Sequence, residues 1–257
     1  MRDPGLSAAI QAVGGVSELA RRIGISQPSV SNWDKVPAER VLAVEAVSGV
    51  ERMRLRPDLY REQPVIQIDE VDQARAQEYA LLSSLLARAP DADLLARLCR
   101  LGGDASPLGV AHAALGEAAS RVAANAIERE YFNLFIGLGR GEILPYGSYY
   151  LTGFLNERPL ARLRDDLAAF GVERVDGNYE PEDHAATLCE IMAAFAGGRF
   201  AAPDGAERRL FEKHMAPWMG RLFADIERAE SADFYRYVGT LGRVFMDIET
   251  EAFAFAG

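Results

Sequence analysis

The 257-residue chain is 49% apolar by composition and carries a net charge of −10 at neutral pH, enough length and apolar content for one large domain or a large and a small one with a sizeable core. No stretch approaches the roughly 18 consecutive apolar residues of a membrane span. The opening MRDPGLSAAIQAVGG has no basic head followed by an apolar run, which predicts a cytoplasmic protein without membrane contact. The cysteines, Cys99 and Cys189, lie outside any CxxC spacing and within helical apolar patterns, as reduced, buried thiols do.

Charge is unevenly spread. Residues 1–63 hold nine Lys/Arg against eight Asp/Glu, net +1, which leaves 19 basic and 30 acidic residues, net −11, in 64–257. Pro57 and Pro64 interrupt helical periodicity in RPDLYREQPVIQID. A module boundary near residue 65 follows, with a first module over 1–63, a linker over 64–69 and a second module over 70–257.

In VSELARRIGISQPSVSNW, residues 16–33, Leu19, Ile23, Ile25, Val30 and Trp33 supply apolar positions, Ala20 is small where two helices must cross, and Gly24 sits where a tight turn needs a left-handed backbone. Ser26 suits an N-cap, and Pro28 is tolerated in the first turn behind it. With Val30 and Trp33 turned inward, Gln27, Ser29, Ser31 and Asn32 face out with short polar side chains suited to base edges. From AIQAVGG to RPDLY the chain resembles the Cro-like, YdaS-type helix-turn-helix family. The resemblance implies a small helical DNA-binding domain with Gln27, Pro28, Ser29 and Asn32 at the recognition positions. Asp34 follows Trp33, and net +1 provides few phosphate contacts. A module kept for protein contacts is the alternative.

Beyond residue 70, apolar residues recur at helical spacing, as in EYALLSSLLARAPDADLLARLCRLG, and nothing alternates with a period of two. The fold class expected is all-α, with helices near 70–89, 91–101, 107–123, 125–137, 159–170, 181–196, 204–227 and 231–255. Ser106 with Pro107, Gly171, and the pair Gly197 and Gly198 punctuate them, and Pro217 should break or kink another.

Three segments stand out. In EREYFNLFIGLGRGEILPYGSYY, apolar residues surround a helix before an aromatic turn over Pro145–Tyr150; its glycines follow a helix and lack the lysine and hydroxyl of a phosphate loop. In NYEPEDH, Glu182, Asp183 and His184 point about 100° apart on a helix and cannot share one metal ion. Glu180 and His184 share a face but lack a third ligand. Pro181 suits a first helical position and the carboxylates oppose the helix dipole, which leaves His184 unexplained. The third segment, FEKHMAPWMGRLFADIERAESADFYRYVG, puts His214 and Trp218 four apart, a structural pair, and starts a helix at Ser231.

Carried by EYFNLF, LPYGSYY, EPEDH and HMAPWMGRLFADIERAESADFYRYVG, the chain from about residue 70 onward resembles the TorD/DmsD/NarJ family of cytoplasmic chaperones for redox enzymes. The resemblance implies an all-helical fold that binds the twin-arginine signal peptide of a molybdenum-containing oxidoreductase and holds the apo-enzyme back from export until its cofactor is inserted. It implies a peptide site of Tyr131, Phe135, Tyr146, Ser148, Tyr149, Tyr150, Glu180, Pro181, Asp183 and His184, with Glu180 and Asp183 pairing with arginines. Some relatives are associated with guanine nucleotide binding. One departure is Tyr146, where relatives often carry tryptophan. An acidic module with a tyrosine-rich turn suits a basic, apolar peptide. No catalysis, cofactor or metal is expected. The partners expected are the signal peptide and the apo-enzyme, with duplex DNA for the first module. A transcriptional regulator whose large module is a sensor is the rival reading; an enzyme lacks a nucleophile or metal set.

Overall fold

The computed structural model describes residues 2–60, 68–174, 180–199 and 202–255. Most of the expected linker, and Asn178 and Tyr179 of NYEPEDH, lie outside the described residues. The chain divides into two compact units, residues 1–65 and 66–257, with separate apolar cores that share no residue. Every regular element among the described residues is helical, as the periodicity predicts.

The first unit contains α1 (Pro4–Val13), α2 (Val16–Ile23), α3 (Gln27–Ser31), a 3-10 turn (Ala38–Arg40), α4 (Val41–Ser48) and α5 (Arg52–Leu55). Gly24 takes the left-handed backbone, φ 71°, that turns α2 into α3, and the Ser26 hydroxyl accepts from the Ser29 amide at the start of α3. Leu6, Leu19, Val30, Val41, Val44 and Leu55 are fully buried, so this small core unites all five helices.

The second unit contains α6 (Glu70–Ala87), α7 (Ala92–Leu98), α8 (Pro107–Arg121), α9 (Ala124–Tyr131), α10 (Gly147–Thr152), α11 (Arg158–Phe170), α12 (Ala185–Ala196), α13 (Ala206–Leu210), α14 (Met219–Arg228) and α15 (Phe234–Phe255). α6 packs along α12, and α15 packs on α14 and α8. Arg75 of α6 joins this framework: its guanidinium reaches Glu249 of α15 at 2.7 Å and Glu207 of α13 at 2.5 Å. The Tyr79 hydroxyl donates to Glu249 at 2.8 Å. A carboxylate as buried as Glu249, 1% exposed, is tolerable only with such partners.

Several boundaries differ from the expected ones. The helix expected over 125–137 is α9 followed by a π turn, Phe132–Ile136, closed by the Gly137 amide on the Phe132 carbonyl at 2.7 Å. The helix expected over 204–227 is α13, a second π turn (Phe211–Met215) and, beyond Pro217, α14. α12 starts at Ala185 instead of residue 181, so Pro181 is not at its first position. The aromatic turn over Pro145–Tyr150 contains the start of a short helix, α10. Cys99, expected to be buried, is exposed just past α7, whereas Cys189 is buried.

Ser231 does not start the last helix. α15 begins at Phe234, and the carboxylate of Glu130, on α9, accepts the amides of Asp233, Phe234 and Tyr235 at 2.8, 3.2 and 2.7 Å. A second carboxylate, Glu142, accepts the amides of Glu230 and Ser231 at 2.6 and 3.1 Å. Glu130→Gln removes one acceptor oxygen from three donors, two of them buried, and is expected to cost about 1–3 kcal/mol. Chemical denaturation of the full chain checks this, and an unchanged midpoint would deny Glu130 its capping role.

Candidate functional site

The site in the second unit forms where two distant loops meet. Tyr146 and His184 form an isolated antiparallel bridge: the Gly147 amide donates to the Asp183 carbonyl at 2.9 Å and the Ala185 amide to the Pro145 carbonyl at 2.8 Å. The Asp183 carboxylate accepts the Ser148 amide at 2.6 Å, at the start of α10. Gly147 packs closely here: a Cβ would sit 3.2 Å from the Trp218 indole, which would have to give way slightly. Trp218 is itself held by its Nε1–H on the His214 carbonyl at 2.6 Å.

His184 is the N-cap of α12, its Nδ1 accepting the Ala186 amide at 3.1 Å. Only a ring unprotonated at Nδ1 can accept. Burial lowers the pKa of His184 and outweighs the opposing pull of Glu180 and Asp183, so the ring is neutral at physiological pH. The His184 and Tyr146 rings meet edge to face at 78° with centroids 5.0 Å apart. The Tyr146 hydroxyl donates to Glu180 at 2.5 Å, and burial together with this bond raises its pKa.

Of the residues singled out in the sequence, Tyr131, Phe135, Tyr146, Glu180 and His184 line one cavity of about 310 Å³. Phe132, Ile136 and Leu138 of the neighbouring π turn and loop are exposed. Asp183 is buried and lines a different cavity of about 530 Å³, with Trp218, His214, Arg162 and Lys213. Its Oδ1 and the Ser148 Oγ are buried with no hydrogen-bond partner among the described residues. Tyr149 and Tyr150 line neither cavity; Tyr149 receives Arg140 at 2.5 Å, and Tyr150 donates to Asp225 at 2.9 Å and lies against Trp218. Pro181 is half-buried, and its carbonyl accepts the His184 amide at 3.1 Å. Sequence reasoning did not identify Asp166 and Arg209. Asp166 accepts from His214 at 2.8 Å and pairs with Arg209 at 2.5 Å. Among the described residues no group of three or more His, Cys, Asp or Glu could hold a metal ion, and no helix is long and apolar enough to cross a membrane.

In the first unit, Gln27, Pro28, Ser29 and Asn32 are exposed on and just after α3, with Val30 turned into the core. Gln27 donates to the Ser31 hydroxyl at 2.9 Å. On α2, the Glu18 carboxylate binds Arg21 at 2.6 Å and Arg22 at 2.8 Å, and these hydrogen bonds, Arg21's first, lower the Glu18 pKa to about 2.

The family model described as nitrate reductase delta subunit matches residues 102–224. Over these residues the second unit is similar to the TorD/NarJ family. Chaperone protein TorD of Shewanella loihica is 26% identical over 215 residues, covering 74% of this chain and 97% of its own. TorD of Shewanella pealeana is 26% identical over 203 residues, covering 68% and 88%. The crystal structure of a candidate redox enzyme maturation protein from Archaeoglobus fulgidus covers 73% of this chain and 99% of its own at 19% identity, with a TM-score of 0.44. The model described as bacterial toxin YdaS matches residues 6–64. YdaS of Escherichia coli, named as a candidate transcriptional regulator, is 44% identical over 57 residues, 20% of this chain and 58% of that protein.

The capping role of His184 separates from any binding role by substitution. His184→Ala is expected to cost about 0.5–2 kcal/mol, and His184→Asn, which restores an N-cap acceptor, to recover most of it. Because the folded pKa is lowered, the histidine's contribution is present above its unfolded value near 6.5 and is lost as pH falls through the folded value. Thermal melts from pH 7.5 to 5 should lose this component in both variants; an Asn variant no more stable than Ala would show that the cap is not what holds α12.

Proposed function

We propose that the second unit is a cytoplasmic chaperone that binds the twin-arginine signal peptide of a molybdenum-containing oxidoreductase and holds the apo-enzyme until its cofactor is inserted, without catalysing a reaction. The observation that carries this reading is the cavity in which the Glu180 carboxylate lies beside the rings of Tyr131, Tyr146 and His184 and next to exposed Phe132, Ile136 and Leu138. An acid beside aromatic and aliphatic surface suits a peptide with an arginine head and an apolar body. The relatives named as TorD chaperones support the same reading. On the opposite side of the Tyr146–His184 bridge, the buried Asp183 Oδ1 provides a second acceptor for a guanidinium.

Affinity for a twin-arginine peptide is expected to fall with rising salt, because part of the attraction is between partly exposed charges. Replacing both peptide arginines by alanine should weaken binding more than replacing them by lysine, which keeps the charge and loses the fork. Calorimetry across the three peptides measures this; equal binding by all three would remove arginine recognition from the site.

A second reading, in which the first unit binds duplex DNA, is favoured by one observation: the exposed polar residues of α3 follow a Gly24 turn in the helix-turn-helix arrangement. Glu18 opposes it by occupying Arg21 and Arg22. Glu18→Gln is expected to raise DNA affinity severalfold at low salt and to steepen the salt dependence by up to about two phosphate contacts. Anisotropy titrations with duplex DNA test this. No binding by either protein would make this unit a protein-contact module.

A further inference from the structure

A cavity of about 390 Å³ adjoins the one around His184 and shares Ser83, Ala87 and Glu190 with it. The two therefore form one groove along the crease between α6 and α12. Its ends differ in charge. At the N-terminal end of α12 stand Glu180, Tyr146 and His184; just beyond its C-terminal end stands Arg199, which lines the second cavity together with Arg88 and Arg97. All three arginines are exposed, and none has a side-chain hydrogen bond or ion pair among the described residues. Elsewhere in this unit Arg75, Arg164, Arg208, Arg209 and Arg243 each hold a carboxylate. The one carboxylate confined to the basic end, Asp91, accepts the Leu94 amide at 2.8 Å and caps α7.

The floor between the ends is built for a main chain. Ala80, Ser83, Ser84 and Ala87 line it from α6 and Ala193 from α12, at helical spacings of three and four that put small side chains on one face. The hydroxyls of Ser83 and Thr187 make no hydrogen bond among the described residues, which leaves them for peptide amides and carbonyls. α12 has 12 residues and so runs about 18 Å, a length that an extended chain covers in about five residues.

Resting on the signal-peptide reading, we propose that the whole groove receives an extended peptide that bears, besides its arginine pair, an acidic side chain about five residues away, which the Arg88–Arg97–Arg199 cluster binds. The groove thereby selects among peptides that share the arginine pair and fixes the direction in which they lie. Guanidinium forks favour a carboxylate in this place over a neutral side chain.

The test uses the full chain and synthetic peptides with an arginine pair and one aspartate placed four to six residues away, on either side, each compared with its asparagine counterpart. In one of the two directions the aspartate peptide is expected to bind roughly threefold or more tightly, the size of an exposed ion pair. The double variant R97Q/R199Q should abolish that preference while binding the asparagine peptide as the parent does. R97E/R199E should reverse it in favour of lysine at the same place. Both side chains are exposed, so melting temperatures should stay near the parent's. If the parent chain does not distinguish aspartate from asparagine on either side, or if the arginine variants keep the distinction, the inference is overturned. If the peptide's arginine pair can be replaced by alanine without loss, the signal-peptide reading itself fails, and that result is separate from the aspartate comparison.

Discussion

The site depends on two backbone hydrogen bonds that cross-link the chain at Tyr146 and His184, Gly147 to Asp183 and Ala185 to Pro145. Each is worth only about 0.5–1.5 kcal/mol net, yet they fix several groups at once. The bridge holds Tyr146 and His184 extended, so α10 and α12 each start at the next residue, Gly147 and Ala185. The start of each helix is then satisfied from within the bridge: Asp183 takes the Ser148 amide and His184 takes the Ala186 amide. Because Tyr146 and His184 are directly opposed, their rings meet and the phenol reaches Glu180. Loss of the bridge would release both helix starts and both cavity walls together.

This dependence explains what the sequence reveals and what it hides. Periodicity and local caps place most helices within a few residues, and Gly24, Ser106 and Gly171 act where expected because their effects are local. α12 starts four residues later than Pro181 suggests because a partner 38 residues upstream holds the chain extended through His184. The histidine itself reads poorly as a cap in sequence, since a charged imidazole opposes the helix dipole; only burial, which keeps it neutral, makes it an acceptor. The start of α15 is invisible for the same reason, as its cap is Glu130, more than a hundred residues away. Of the candidate site residues, the aromatic ones and Glu180 converge, whereas Asp183 is divided from them by the bridge it helps to make.

Net charge is an equally partial guide. A total of −11 for residues 64–257 suggests a uniformly acidic surface, but Arg75, Arg164, Arg208, Arg209 and Arg243 are each neutralised by a carboxylate while Arg88, Arg97 and Arg199 line one cavity together. In the first unit the opposite holds: net +1 includes two arginines already claimed by Glu18. What a partner meets is the unpaired remainder, which is basic at one end of an acidic unit and nearly neutral on α3.

The neutrality of His184 is also what lets the acidic end of the groove act as an acid. Protonated, the ring would place a positive charge at the N-terminus of α12, beside Glu180, where the proposed peptide's arginines would bind, and would give up its bond to Ala186. Burial prevents this at physiological pH, and the Tyr146 hydroxyl, held protonated by the same burial and by Glu180, donates to that carboxylate without adding charge. The two rings therefore flank the exposed Glu180 carboxylate without adding a positive charge beside it, so that a guanidinium would meet no like charge from either ring.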